Sequence, residues 1–175
     1  MKLHALLLAA ASLTLGVAIA AEARLAAPDI GVDAIEGSAM PRALSEYGFF
    51  IHLREQVPNQ GVTPYRLNTP LYSDGAEKLR FAYVPDGRQM DADGEGLLQF
   101  PVGSALVKTF AFGEGEDRQL IETRVLLHRA DGWIALPYRW NEEQTDARLA
   151  LAGARIDLTT PAGDRLHVGD EIVTR

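Results

Sequence analysis

A chain of 175 residues with 24 acidic and 17 basic side chains carries a formal charge of −7, which disfavours nucleic acid and anionic membranes, where affinity comes from Lys and Arg on phosphates. It contains no cysteine, which excludes disulfides, thiolate metal or iron–sulfur sites, a cysteine nucleophile, a lipid anchor on cysteine and covalent haem through C-x-x-C-H. The expected cofactor content of the chain is therefore none.

The start reads as an export signal. Lys2 is followed by an uncharged run from Ala5 to Ala20. That run is shorter than the roughly 20 apolar residues of a membrane span, and it suits a signal core of about 7–15 residues ahead of small residues. Ala18-Ile19-Ala20 and Ala21-Glu22-Ala23 place cleavage after Ala20 or after Ala23. Residues 1–20 are thus expected to be removed, leaving no transmembrane segment and a periplasmic or secreted protein. Residues 21–40 are Ala-rich without periodicity and suggest a flexible lead to a single β-rich domain over 41–175.

Within that domain Pro41 opens an expected helix over 41–54, with Leu44, Tyr47 and Phe50 or Ile51 on one side and Gly48 against it. Residues 57–73 are rich in Pro, Asn, Gly and Thr and suggest an ordered, irregular loop. Strands are expected over 78–84, 104–112 and 119–128, the last with clean alternation: Ile121, Thr123, Val125 and Leu127 share one face. Asp131-Gly132 marks a tight hairpin into a strand over 133–140. Residues 146–152 suit a helix or a strand, with a strand the expectation, and 155–159 and 165–168 flank Pro161-Ala162-Gly163-Asp164 as a second hairpin. The pattern predicts a mainly β fold, an antiparallel sandwich or partly open barrel with one short N-terminal helix. The final residues, 171–175, read as the start of another strand, so the natural unit is expected to continue beyond them.

Three segments are candidate sites. Asp91, Asp93 and Glu95 with Gly96 have the alternating spacing of a calcium loop, but Val102 stands where the closing Glu belongs; the competing reading is a solvated acidic turn. Lys108, Glu122 and Arg124 come together if their strands pair, as a polar floor for a ligand or as a cross-strand ion pair worth about 0.2–1 kcal/mol. Tyr138, Trp140, Asn141, Glu142, Gln144 and Asp146 place aromatic rings beside amides and carboxylates, which makes either a binding rim or ordinary packing. No catalytic residue is assigned. His52, His128 and His167 have no metal-ligand spacing. No serine stands in a G-x-S-x-G elbow, and no dinucleotide or Walker motif occurs.

Taken together, several stretches resemble a known family. They are Leu44-Ser45 with Tyr47-Gly48-Phe49-Phe50, the run Tyr65-Arg66-Leu67-Asn68-Thr69-Pro70-Leu71-Tyr72-Ser73-Asp74, Phe100-Pro101-Val102-Gly103 and Lys108-Thr109-Phe110. Ile121-Glu122-Thr123-Arg124 and Leu136-Pro137-Tyr138 leading into Trp140-Asn141-Glu142-Glu143-Gln144-Thr145-Asp146-Ala147 complete the set. The pattern resembles the haem-free N-terminal region of an exported bacterial conserved hypothetical family, commonly fused to a c-type cytochrome module. The resemblance implies a non-enzymatic accessory or binding domain in c-type cytochrome electron transfer, with a cytochrome module or protein as partner. With no cysteine, haem binding carries over to no residue here. The rival expectation is a carbohydrate-binding or carbohydrate-active domain using the Trp140–Asp146 segment.

Overall fold

In the computed structural model, residues 27–152 are described, apart from 70, 71, 74, 93 and 95, together with the backbone of two strands at 156–159 and 165–168. The expected signal segment, 1–20, and the chain end, 171–175, lie outside the described residues.

Alternation of apolar and polar side chains generates the main element, a six-stranded antiparallel sheet. Its strands are β3 (Val62–Pro64), β4 (Glu77–Tyr83), β7 (Ala105–Phe112), β8 (Gln119–Arg129), β9 (Gly132–Trp140) and β10 (Ala147–Leu149), in the spatial order β10-β9-β8-β7-β4-β3. The sheet does not close into a barrel. Three two-stranded ribbons accompany it: β1 (Phe50–His52) with β2 (Val57–Pro58), β5 (Asp91–Ala92) with β6 (Leu98–Gln99), and β11 (Ile156–Thr159) with β12 (Arg165–Val168). The two expected hairpins form, Arg129 pairing with Gly132 and Thr159 with Arg165.

One face of the sheet is buried. Phe81, Val107, Val125, Leu127, Leu136 and Tyr138 point into one core with Leu44, Tyr47, Phe49 and Phe50. Near its start β8 carries a bulge: Phe110 faces Glu122 while Ala111 faces Leu120, leaving Ile121 as the extra residue. Beyond it the alternation inverts, so Leu120 enters the core at 1 % exposure although the period places it on the opposite face.

The covering layer differs from expectation. No helix spans 41–54; one 3-10 turn, Leu44–Tyr47, ends at Gly48 and the chain then runs extended through β1. Gly48 has φ +65°, and a Cβ there would meet the Asp29 carbonyl oxygen at 2.1 Å. The left-handed backbone at Gly48 ends the turn, so the buried Leu44, Tyr47 and Phe50 reach the core from a turn and a strand. Among the described residues the one short α-helix is α1 (Val32–Glu36), within the stretch read as a flexible lead. A single turn burying only Ile35 leaves no period in the sequence. Likewise, the loop expected over 57–73 supplies β2 and β3.

Because the cover is mostly irregular, its backbone needs side-chain partners. Arg129, 7 % exposed, donates from Nε to the Ile35 carbonyl at 2.9 Å and from Nη2 to the carbonyls of Ala34 (3.3 Å) and Ala39 (2.8 Å). Asn59 donates to the carbonyls of Pro28 and Gly48. Tyr138 donates to the Pro41 carbonyl at 3.0 Å and so accepts from the Tyr47 hydroxyl, 2.8 Å away. Burial pushes both phenols above their ordinary pKa and keeps them protonated. A second chain crosses the core: Trp140 Nε1 donates to Thr123, Thr123 to Thr109, and Thr109 to the Gln56 amide oxygen, at 2.9, 2.8 and 2.6 Å. Each of these buried groups has its partner.

Arg129→Met keeps the apolar stem and removes the donors. We expect a loss of about 3 kcal/mol in urea unfolding, since a buried hydrogen bond from a charged group contributes about 1.5–3 kcal/mol and several on one group do not add. The amides of Ala34 and Ile35 should lose exchange protection first. A loss below about 0.5 kcal/mol, the range of ordinary surface substitutions, would show that the cover does not depend on this residue.

Candidate functional site

The Trp140–Asp146 segment builds the β9–β10 turn. Tyr138 and Trp140 are 0 % and 5 % exposed, so neither ring offers a stacking platform. The Asn141 side chain accepts from the amides of Thr145 and Asp146 and donates to the Thr145 hydroxyl. Gln144, at φ +56°, accepts from the Leu120 amide at 2.6 Å and donates to the Leu120 carbonyl at 3.0 Å, satisfying the backbone where the bulge disturbs the ladder. Asp146 accepts from the Ser45 hydroxyl at 2.7 Å and the Ser45 amide at 3.2 Å, tying the 3-10 turn to β10. Glu142 and Glu143 point to solvent at the tip. In this segment the amides and Asp146 hold the fold together.

Lys108, Glu122 and Arg124 do come together, on the face of the sheet opposite the core. The register decides how. Arg80 faces Lys108, and Lys108 faces Arg124, across β4, β7 and β8. The adjacent row runs Lys78, Phe110, Glu122, Arg139 and Arg148 across five strands. Six cations therefore share this outer face with one carboxylate on the same rows. That carboxylate, Glu122, pairs with Arg124 along β8, so the ion pair runs along a strand while the cross-strand neighbours of Lys108 are both cations.

Phe110 lies beneath the charges, 6 % exposed, with Lys108 Nζ 5.1 Å and the Arg124 guanidinium carbon 5.0 Å from its ring centre. Burial first, then Arg124, Arg80 and Lys78, hold the Lys108 amine below the usual lysine range. Lys78 is lowered in the same direction by burial and Arg80.

Toward the β8–β9 hairpin the same face turns aromatic. His128 stacks on Trp133 at 4.6 Å with the rings 6° apart, and Phe100 meets Trp133 edge-on at 6.0 Å. The Phe100 carbonyl is 2.8 Å from His128 Nδ1. Trp133 is 45 % exposed, which makes it the exposed tryptophan of the chain in place of Trp140. Leu106, Leu126 and Ala135 pair between the aromatic and basic ends. Sequence reading placed His128 on the same side of its strand as Glu122 and Arg124, but missed Lys78, Arg80, Phe110, Trp133, Arg139 and Arg148 as members of this face. Counting alternate residues back from the Asp131-Gly132 hairpin finds Trp133, His128 and Arg139.

The calcium candidate falls on the ribbon of β5 and β6, where Asp91 is exposed and pairs with Gln99; Asp93 and Glu95 lie outside the described residues. Among the described residues no group of three or more His, Asp or Glu could hold a metal ion. No helix among them is long and apolar enough to cross a membrane.

Lys108 sits between like charges with its folded pKa below the unfolded one. Between those two values the unfolded chain holds more protons, so stability rises with pH up to the ordinary lysine pKa of about 10.4. Lys108→Met should flatten that rise and increase stability at pH 7 by about 0.5 kcal/mol, within the cross-strand range. Urea unfolding at pH 7 and 10 checks this, and a loss of stability at pH 7 would refute it. Among known proteins, no family model, no curated protein and no solved structure matches this chain.

Proposed function

We propose that the chain is an exported, non-enzymatic binding domain that docks an acidic partner on the outer sheet face, and that this partner is a c-type cytochrome module or protein. The observation that carries the reading is the Arg80–Lys108–Arg124 row. Like charges directly opposite each other weaken a sheet, so their concentration on one face of an acidic chain calls for an anionic counter-surface. The aromatic end supports it too. Trp133 beside His128 and Phe100 offers the kind of partly exposed ring that anchors an interface next to a charged rim. Haem and the electron belong to the partner; this chain supplies shape, charge and position. The cytochrome identity rests on the resemblance and the export signal on the apolar run at the N-terminus.

Titration calorimetry of the chain without residues 1–20 against an acidic and a basic c-type cytochrome tests this. Binding to the acidic one should weaken about tenfold from low to physiological salt, because the coupling is electrostatic and screened. The double variant Lys108→Gln/Arg124→Gln should weaken it by at least about tenfold at low salt while far-UV circular dichroism is unchanged. Equal binding of the basic cytochrome would remove the charge argument. Binding of an acidic protein without haem, with none of either cytochrome, would keep the docking face and remove the redox context.

A further inference from the structure

At the β3 side of the sheet a cleft of about 880 Å³ opens between the β1–β2 turn, residues 64–67 and the strand β4. That volume falls within the roughly 300–1,000 Å³ of small-molecule sites. Its walls differ in character from the outer face. Leu67, Leu79 and Phe81 supply apolar surface, while Arg66, Lys78, Arg80 and Arg118 bring four cations against the two carboxylates Glu55 and Glu77. Glu77 is already engaged, 3.0 Å from Arg118 Nη2.

Arg118 is the best-placed of these groups. Glu77 fixes its guanidinium from one side, and Arg54 donates to its backbone carbonyl, so the residue is held at both ends. Its Nε is buried with no acceptor among the described residues. The Arg118 side chain is 27 % exposed and lines the cleft, so the guanidinium edge left over from the Glu77 pair offers N–H donors suited to an oxyanion. Tyr65 adds a hydroxyl donor to the lining, and burial raises its pKa, so it stays protonated.

We propose that this cleft binds a small organic oxyanion, with the head group on Arg118 and an apolar body against Leu79 and Phe81. Lys78 and Arg80 border both this cleft and the outer face, but the anchor, Arg118, and the apolar wall of Leu79 and Phe81 belong to the cleft alone, so the inference holds whether or not a protein covers the outer face.

The test uses the full chain without residues 1–20, amide-resolved NMR and four probes: phenylacetate, phenyl phosphate, neutral phenylacetamide and inorganic phosphate. The two aromatic anions should saturate in the millimolar range or below and shift the amides of Leu79, Phe81 and Arg118. Phenylacetamide and inorganic phosphate should each bind about tenfold more weakly, since each lacks one half of the recognition. Arg118→Gln should weaken the anions about tenfold and leave phenylacetamide unchanged. Arg66→Gln, an exposed position, should give a smaller loss in the same direction and serves if Arg118→Gln does not fold. Lys108→Gln/Arg124→Gln should leave anion binding unchanged, which separates failure of this site from failure of the docking face. Equal binding of phenylacetamide, equal binding of inorganic phosphate, shifts confined to Lys108 and Arg124, or no saturation by either aromatic anion would each overturn the proposal.

Discussion

The inner face of this sheet is covered by chain that is mostly neither helix nor sheet, and that constraint organises much of the molecule. A helix brings its own hydrogen bonds to a core; an irregular segment does not, and its buried amides and carbonyls must find side chains. Arg129 is the central answer. It reaches from the end of β8 under the cover and takes carbonyls from Ala34, Ile35 and Ala39 with one charged group. Tyr138 takes that of Pro41, and Asn59 those of Pro28 and Gly48. Arg129, Asn59 and the Tyr138 hydroxyl are buried there because the cover is irregular.

The same logic explains the polar run after Trp140. Its composition of amide, carboxylate and aromatic groups suits a sugar site or a catalytic rim equally well on paper. In the fold, Gln144 completes the ladder at the bulge, Asp146 pins the 3-10 turn and Asn141 closes the hairpin around both. A chemically rich segment is thus occupied by structural hydrogen bonds, and the proposed binding surface lies instead on side chains that alternate with the core.

Much of the sheet was legible in the sequence because period-two alternation and turn residues are local signals. The strands at 78–84, 104–112, 119–128 and 133–140 and the Asp131-Gly132 hairpin follow from them, and the structure places each within a residue or so. What failed depended on contacts remote in sequence. Leu44, Tyr47 and Phe50 have helical spacing, but the Asp29 carbonyl lies against Gly48 and no local pattern encodes that approach. Ile121 reads as an ordinary inward residue because a bulge shows only when two strands are aligned. In the candidate site, sequence reading brought Lys108, Glu122 and Arg124 together but left open which faced which. The choice between Glu122 and Arg124 as partner of Lys108 is a matter of register, and it reverses the sign of the interaction.

The sign matters because of how the row persists. Long cationic side chains on an open face ordinarily splay into water, where two charges at 4 Å repel by only about 1 kcal/mol. Here Phe110 draws the Lys108 and Arg124 heads onto its ring. Such contacts contribute about 0.5–1 kcal/mol each at exposed sites, comparable to the 0.2–1 kcal/mol of a like-charge pair opposite it. With the Glu122 carboxylate also paired to Arg124, the charges stay gathered at small net cost. A neutral surface laid over them would strip their water and raise the repulsion severalfold as the effective dielectric falls. An acidic surface would replace the water with counter-charges already matched to a fixed row. On the proposed docking reading, the face would discriminate by penalty as much as by attraction, against any partner without carboxylates to set against Arg80 and Lys108.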